Sequence, residues 1–175
     1  MWDFGHAELL EPEAIGEPGQ RVFRVRVMNK EESASLWLEK EQLAALTLAF
    51  RHLLEQTEDA PSDDSDSTSP SQPFPERPQV DMKLGRLGIG YDEDLKMVTI
   101  FAYATEEAED APPTFACQVN LSQCAAFAER AEETINAGRP ICVLCGSPIE
   151  KDGHKCHRRN GHSAQPISLE DSDSE

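Results

Sequence analysis

The sequence predicts an α+β fold: one domain built from two tandem, strand-rich β-β-β-α repeats, followed by a small C-terminal zinc-binding module. Three observations lead there. Runs of alternating apolar and polar residues mark half-buried strands. Two amphipathic segments of similar sequence mark helices at corresponding places. A cluster of cysteines and histidines closes the ordered part of the chain.

In chain order, the first repeat spans residues 1–56. Ile15-Gly16 and the polar turn EPGQ lead into RVFRVRV (21–27). Phe23, Val25 and Val27 then share one face, with Arg24 and Arg26 on the other, as a strand with one buried side requires. LWLEKEQLAALTLAF (36–50) follows, where Leu43, Leu46, Phe50, Leu53 and Leu54 form a stripe at helical spacing. Glu39 and Glu41 stand near the helix start, where negative charge complements the dipole.

The second repeat spans residues 74–138. Ile89-Gly90 is matched to Ile15-Gly16, and YDED to the first polar turn. The alternating run KMVTIFAYA (96–104) then matches the first one, and CQVNLSQCAAFAERA (117–131) matches 36–50. The two landmarks differ in offset by seven residues, which the expectation places as a loop insertion around EEAEDAPP. Phe127, Ala131 and Ile135 make the thinner apolar stripe of the second helix. Asn120 and Gln123 have the spacing of a capping box, and Gly138 before Arg139-Pro140 stops the helix. The expected result is a packed pair of antiparallel sheet-and-helix units. Cys117 and Cys124 fall where the first copy has Leu36 and Leu43, so both read as buried structural thiols.

The formal charge is −17, unevenly spread. TEDAPSDDSDSTSP (57–70) has five acids and no base, and LEDSDSE (169–175) has four acids and no base. Such segments lack the apolar surface to pack, so residues 57–73 are expected to be a disordered linker and 166–175 a disordered tail. A chain this acidic is a poor binder of DNA, RNA or anionic lipid, whose phosphates reward Lys and Arg. No apolar run approaches membrane-spanning length, and the N-terminus has no basic and apolar leader pattern. The expectation is a cytoplasmic protein, where thiols stay reduced and a cysteine cluster favours metal.

The module, residues 139–165, centres on CVLCGSPIEKDGHKCHRRNGH (142–162), with three cysteines and three histidines. In Cys142-Val-Leu-Cys145-Gly146, two thiolates on a tight turn reach one ion, and the glycine lets the backbone fold beneath it. His154 and Cys156 flank Lys155, and alternate residues of an extended stretch face one way. The pattern is C-x2-C-x8-H-x-C, a Cys3His set for a structural Zn2+. His154 is the favoured fourth ligand and His162, beyond the Asn160-Gly161 turn, the alternative. His157 is adjacent to Cys156, and neighbours rarely aim at one metal. With four protein ligands at hand, the site reads as closed, without the open position of a catalytic zinc.

No nucleophile elbow, phosphate loop or dinucleotide fingerprint is present, and the glycines of GRLGIG (85–90) have a strand's spacing. Three functions compete. The first is a non-enzymatic adaptor that binds a protein partner. The second is nucleic-acid binding through the module, where Arg139, Lys151, Lys155, Arg158 and Arg159 against Glu150 and Asp152 give a net +3, with the acidic tail as autoinhibitor. The module has no aromatic residue for base stacking, which disfavours this reading. The third, ranked last, is an enzyme with its site between the repeats.

GEPGQR (16–21), LEKEQLAAL (38–46), GRLGIGYD (85–92) and AGRPICVLCGSPIEKDGHKCHRRNGH (137–162) together resemble a bacterial family of uncharacterised proteins, a domain of unknown function. The resemblance covers nearly all the chain outside the linker and tail. It implies that the three cysteines and His154 are kept, while the position of His162 is often tyrosine. It implies no activity.

Overall fold

The computed structural model describes residues 1–57, 73–108, 110–138, 142–146, 149, 154 and 156. The expected linker, apart from its first and last residues, and the expected tail lie outside the described residues. Two compact units divide the chain, residues 1–138 and 139–175.

The first unit contains strands β1 (Trp2–His6), β2 (Leu9–Ile15), β3 (Val22–Met28) and β4 (Ser33–Leu38), then helix α1 (Lys40–Gln56). Strands β5 (Val80–Asp92), β6 (Met97–Ala104) and β7 (Phe115–Asn120) follow, then helix α2 (Leu121–Asn136). All seven strands form one sheet in the order β1-β7-β6-β5-β4-β3-β2. The expectation of a packed pair of antiparallel sheet-and-helix units left out that a single sheet runs through both. β2-β3-β4 and β5-β6-β7 are antiparallel meanders, but parallel pairing of β4 with β5 fuses them, and β1 pairs in parallel with β7.

β1 and β2 occupy opposite edges of this sheet, yet only Ala7 and Glu8 separate them. The Ala7 amide donates to Gln118 O on β7 (2.8 Å), and the Glu8 amide donates to Met28 O on β3 (2.8 Å). Two residues reach at most about 7 Å. The two edges must meet there, so the sheet curls back on itself. β5 bends in the same manner. Val80–Lys83 runs beside β4, and from Leu84 the strand pairs with β6 after a register shift between Leu84 and Arg86. Glycine at 85 is required by close approach: a Cβ there would lie 2.9 Å from Thr105 Cα and 3.0 Å from Ala104 O.

A glutamine braces each bend. Gln123 Nε2 donates to Ala7 O (2.7 Å), and Gln42 Nε2 donates to Gly85 O (2.9 Å). Each is the third residue of its helix, and its Oε1 accepts from the N-cap amide, Asn120 N at 2.9 Å and Glu39 N at 2.8 Å. Asn120 Oδ1 in turn accepts from Gln123 N at 2.8 Å, completing the capping box.

The core lies between the helices and one face of the sheet. Alternation places Phe23, Val25 and Val27 of β3 there, with Val98, Ile100 and Ala102 of β6 and Phe115, Cys117 and Val119 of β7. The helices contribute Leu43, Leu46, Phe50, Cys124, Phe127 and Ala131, and the rings of Phe50 and Phe127 meet edge to face at 5.5 Å. Burial pushes the thiols of Cys117 and Cys124 up to about 12.

One landmark shifts. The first hairpin closes at Ile15↔Val22 and the second at Asp92↔Met97, so Ile15 stands in register with Asp92. Ile89, paired with Ile100, corresponds to Pro12, paired with Val25. The expected match of Ile15 to Ile89 is three residues out. An odd slip reverses the faces of a strand. Accordingly, Ile15 is exposed while Ile89 packs against the core. The β3–β4 loop has four residues and the β6–β7 loop ten, so the extra loop length is six residues, against the expected seven.

Candidate metal centre

In the second unit, residues 142–146 form a tight turn. The Gly146 amide donates to Cys142 O at 2.8 Å, and Gly146 has φ +71°, a conformation that glycine adopts without a Cβ penalty. The turn carries the Cys142 and Cys145 thiols to one side. His154 and Cys156 complete the set, so one ligand atom from each of the four lies within 4.8 Å of all the others. Cys142 Sγ is 3.8 Å from Cys156 Sγ, and Cys145 Sγ is 3.2 Å from His154 Nε2.

These distances suit a single ion. Tetrahedral zinc, with Zn–S of about 2.3 Å and Zn–N of about 2.0 Å, sets its sulfurs about 3.8 Å apart and a sulfur about 3.5 Å from the histidine nitrogen. Cys142 and Cys156 are buried, whereas Cys145 and His154 are half-buried, so water has limited access to the centre. Three thiolates and a neutral imidazole around a divalent cation carry one net negative charge. Nε2 faces the cluster, which leaves Nδ1 to hydrogen-bond a group outside it. Among the described residues this is the one gathering of three or more possible metal ligands.

The structure thus brings together Cys142, Cys145, His154 and Cys156. The alternative ligand His162 lies outside the described residues, as do His157 and the basic residues Arg139, Lys151, Lys155, Arg158 and Arg159.

Two features had no counterpart in the sequence reading. Val143 is 98 % exposed and Leu144 49 %, so the tip of the knuckle presents apolar side chains to solvent. Their signal was two aliphatic residues inside C-x2-C, where nothing in the turn requires them. The second is Arg21. It donates through Nη1 to Thr134 O (3.2 Å) and through Nη2 to Ala137 O, capping the last carbonyls of α2 just before the chain enters the module.

The opposite face of the sheet is occupied by mutual pairing. Arg24 pairs with Glu13 and sits over Trp37 at 5.3 Å, Arg26 pairs with Glu11 at 2.6 Å, and Trp37 Nε1 donates to Asp81.

These features define a curled α+β domain followed by a Cys3His cluster that could hold a metal ion. The chain belongs to the family described as a protein of unknown function (DUF3090), whose model matches residues 2–156. The match ends on the last of the four clustered residues. No curated protein and no solved structure matches the chain. Among the described residues, no helix is long and apolar enough to cross a membrane.

Proposed function

We propose that this is a non-enzymatic cytoplasmic adaptor whose C-terminal module is folded by one structural Zn2+ held by Cys142, Cys145, His154 and Cys156. The observation that carries this reading is the mutual approach of the four ligand atoms to within 4.8 Å. Four protein ligands fill a tetrahedron and leave no position for substrate or activated water. His154 is preferred to His162 because its Nε2 already lies 3.2 Å from Cys145 Sγ. None of the five cysteines is joined in a disulfide, which accords with a reducing compartment. The exposed Val143 and Leu144 offer an apolar contact of the kind found at protein interfaces.

The α+β unit reads best as two copies of one β-β-β-α repeat. Cross-strand pairs support this: Val25↔Leu36 and Ile100↔Cys117 occupy the same place in their meanders, as do Val27↔Ala34 and Ala102↔Phe115. The two glutamine braces support it as well.

The metal is tested by elemental analysis of the full-length protein, which should carry about one zinc per chain. Cys142→Ser, Cys145→Ser and Cys156→Ser should each lose it, because a hydroxyl does not replace a thiolate. His154→Ala should release zinc more readily than His162→Ala, and the reverse order would overturn the ligand assignment. The adaptor role is tested by comparing proteins that co-purify with the intact chain and with a chain lacking residues 139–175. A stoichiometric partner lost with the module supports it. Salt-sensitive retention of nucleic acid by the intact chain would favour the competing reading instead.

A further inference from the structure

The cysteines fall into two groups. Cys117 on β7 and Cys124 on α2 lie in the core, where burial pushes their thiols up to about 12 and keeps them protonated and unreactive. Cys142, Cys145 and Cys156 lie in the candidate metal centre, and there the three sulfurs differ in exposure and in neighbour. Cys142 and Cys156 are buried, with their Sγ atoms 3.8 Å apart. Cys145 is half-buried, and its Sγ lies 3.2 Å from His154 Nε2.

Disulfide sulfurs stand about 2.05 Å apart, so Cys142 and Cys156, at 3.8 Å, need to approach by about 1.8 Å to bond. Such a bond would join the same two parts of the chain that a shared ion joins, the 142–146 turn and the stretch from His154 to Cys156. Resting on the reading of the cluster as a zinc site, we propose that the centre is a reversible thiol switch. In it, a hydroperoxide converts the Cys142 and Cys156 thiolates into a disulfide and frees the ion.

The chemistry balances with hydrogen peroxide as oxidant. Cys145, the most accessible of the three sulfurs, attacks one peroxide oxygen; the O–O bond breaks, and the other oxygen leaves with a proton from solvent as water. Cys145 is then a sulfenic acid. The Cys142 thiolate, within 4.8 Å, attacks its sulfur, and the hydroxyl leaves with a second proton as a second water. Attack by the Cys156 thiolate on the Cys142 sulfur moves the bond to Cys142–Cys156 and returns Cys145 as a thiolate. Two thiolates have lost two electrons to one peroxide.

The consequence falls on the apolar tip. Val143 and Leu144, 98 % and 49 % exposed, lie between Cys142 and Cys145. The zinc-held state fixes both ends of this tip, and the disulfide state fixes the Cys142 end alone. Oxidation therefore loosens the contact surface on which the adaptor reading relies.

The test treats the full-length protein with hydrogen peroxide after its zinc content has been measured. Protein without zinc before treatment refutes the metal reading and the switch with it. Zinc-loaded protein should release about one ion per chain to a coloured chelator. Peptide mapping should then link Cys142 to Cys156 and find Cys117 and Cys124 unmodified. Exchange of the Gly146 amide, which donates to Cys142 O in the turn, should quicken on the order of tenfold. Dithiothreitol with added zinc should restore the starting state. Zinc retained through the treatment, sulfinic acids in place of a disulfide, or a final bond that leaves out Cys142 or Cys156 refutes the switch alone. So does a Gly146 amide that exchanges at the same rate before and after.

Discussion

Replacing Gln123 should loosen the junction at which the sheet closes. Its Nε2 donates to Ala7 O at 2.7 Å and its Oε1 accepts from Asn120 N at 2.9 Å, both in partly buried surroundings. Each bond contributes about 1 kcal/mol net, and removing one partner from a buried group adds a desolvation cost of similar size. Gln123→Ala should therefore cost about 2–3 kcal/mol. Gln42 makes the corresponding bonds to Gly85 O and Glu39 N, but both are solvent-exposed, so water replaces them and Gln42→Ala should cost about 1 kcal/mol. Gln123→Glu isolates the brace: the Oε1 bond to Asn120 N survives, while a second oxygen faces the Ala7 carbonyl and repels it. Urea unfolding of the three variants, with hydrogen exchange at Ala7 and Glu8, measures this. If Gln123→Glu matches wild type within about 0.5 kcal/mol, or Gln42→Ala costs more than Gln123→Ala, the brace is not what holds the closure.

Chelation of the metal should abolish the ordered signals of Cys142–Gly146 in NMR spectra while the melt of residues 1–138 stays in place, because the core is complete without the module. Arg21→Ala should cost about 1 kcal/mol and speed hydrogen exchange in the last turn of α2, whose Thr134 and Ala137 carbonyls lose their donor. The thiols of Cys117 and Cys124 ionise near 9 in the unfolded chain and at about 12 in the native one, so above pH 9 the native state holds the extra protons and stability falls as pH rises. Denaturant midpoints measured from pH 8 to 10.5 should decline, and Cys117→Ala should make that decline shallower.

The parts of the fold legible in the sequence are those encoded locally. Alternation fixed the faces of β3 and β6 because a two-residue period is a property of the strand itself. The helix stripes predicted Leu43, Leu46, Phe50, Phe127 and Ala131, all of which are buried. The capping box at Asn120 and Gln123 was readable for the same reason, since all its atoms lie within four residues. The mutual approach of Cys142, Cys145, His154 and Cys156 was also readable, because their short spacing constrains them without reference to the rest of the fold.

What sequence reasoning missed is contact between distant residues. WDFGH has no clear alternation, and β1 is a strand because β7 offers it an edge more than a hundred residues away. Gln42 and Gln123 could be aligned as similar residues, but their outward-reaching amides acquire meaning only when the strand bends come beneath them. The Ile-Gly landmarks misled because glycine recurs for different reasons. Gly16, at φ +106°, belongs to a turn, whereas Gly90 lies inside a strand beside the ring of Phe101, 3.4 Å from where its Cβ would be. The pairing registers separate the two cases. A slip of three would exchange the faces of β5 and bring Gly88 and Gly90 to the core in place of Leu87, Ile89 and Tyr91, which now pack against it. That exchange would remove three large side chains from the buried side, at a cost of several kcal/mol, so the observed register is the one the apolar residues select.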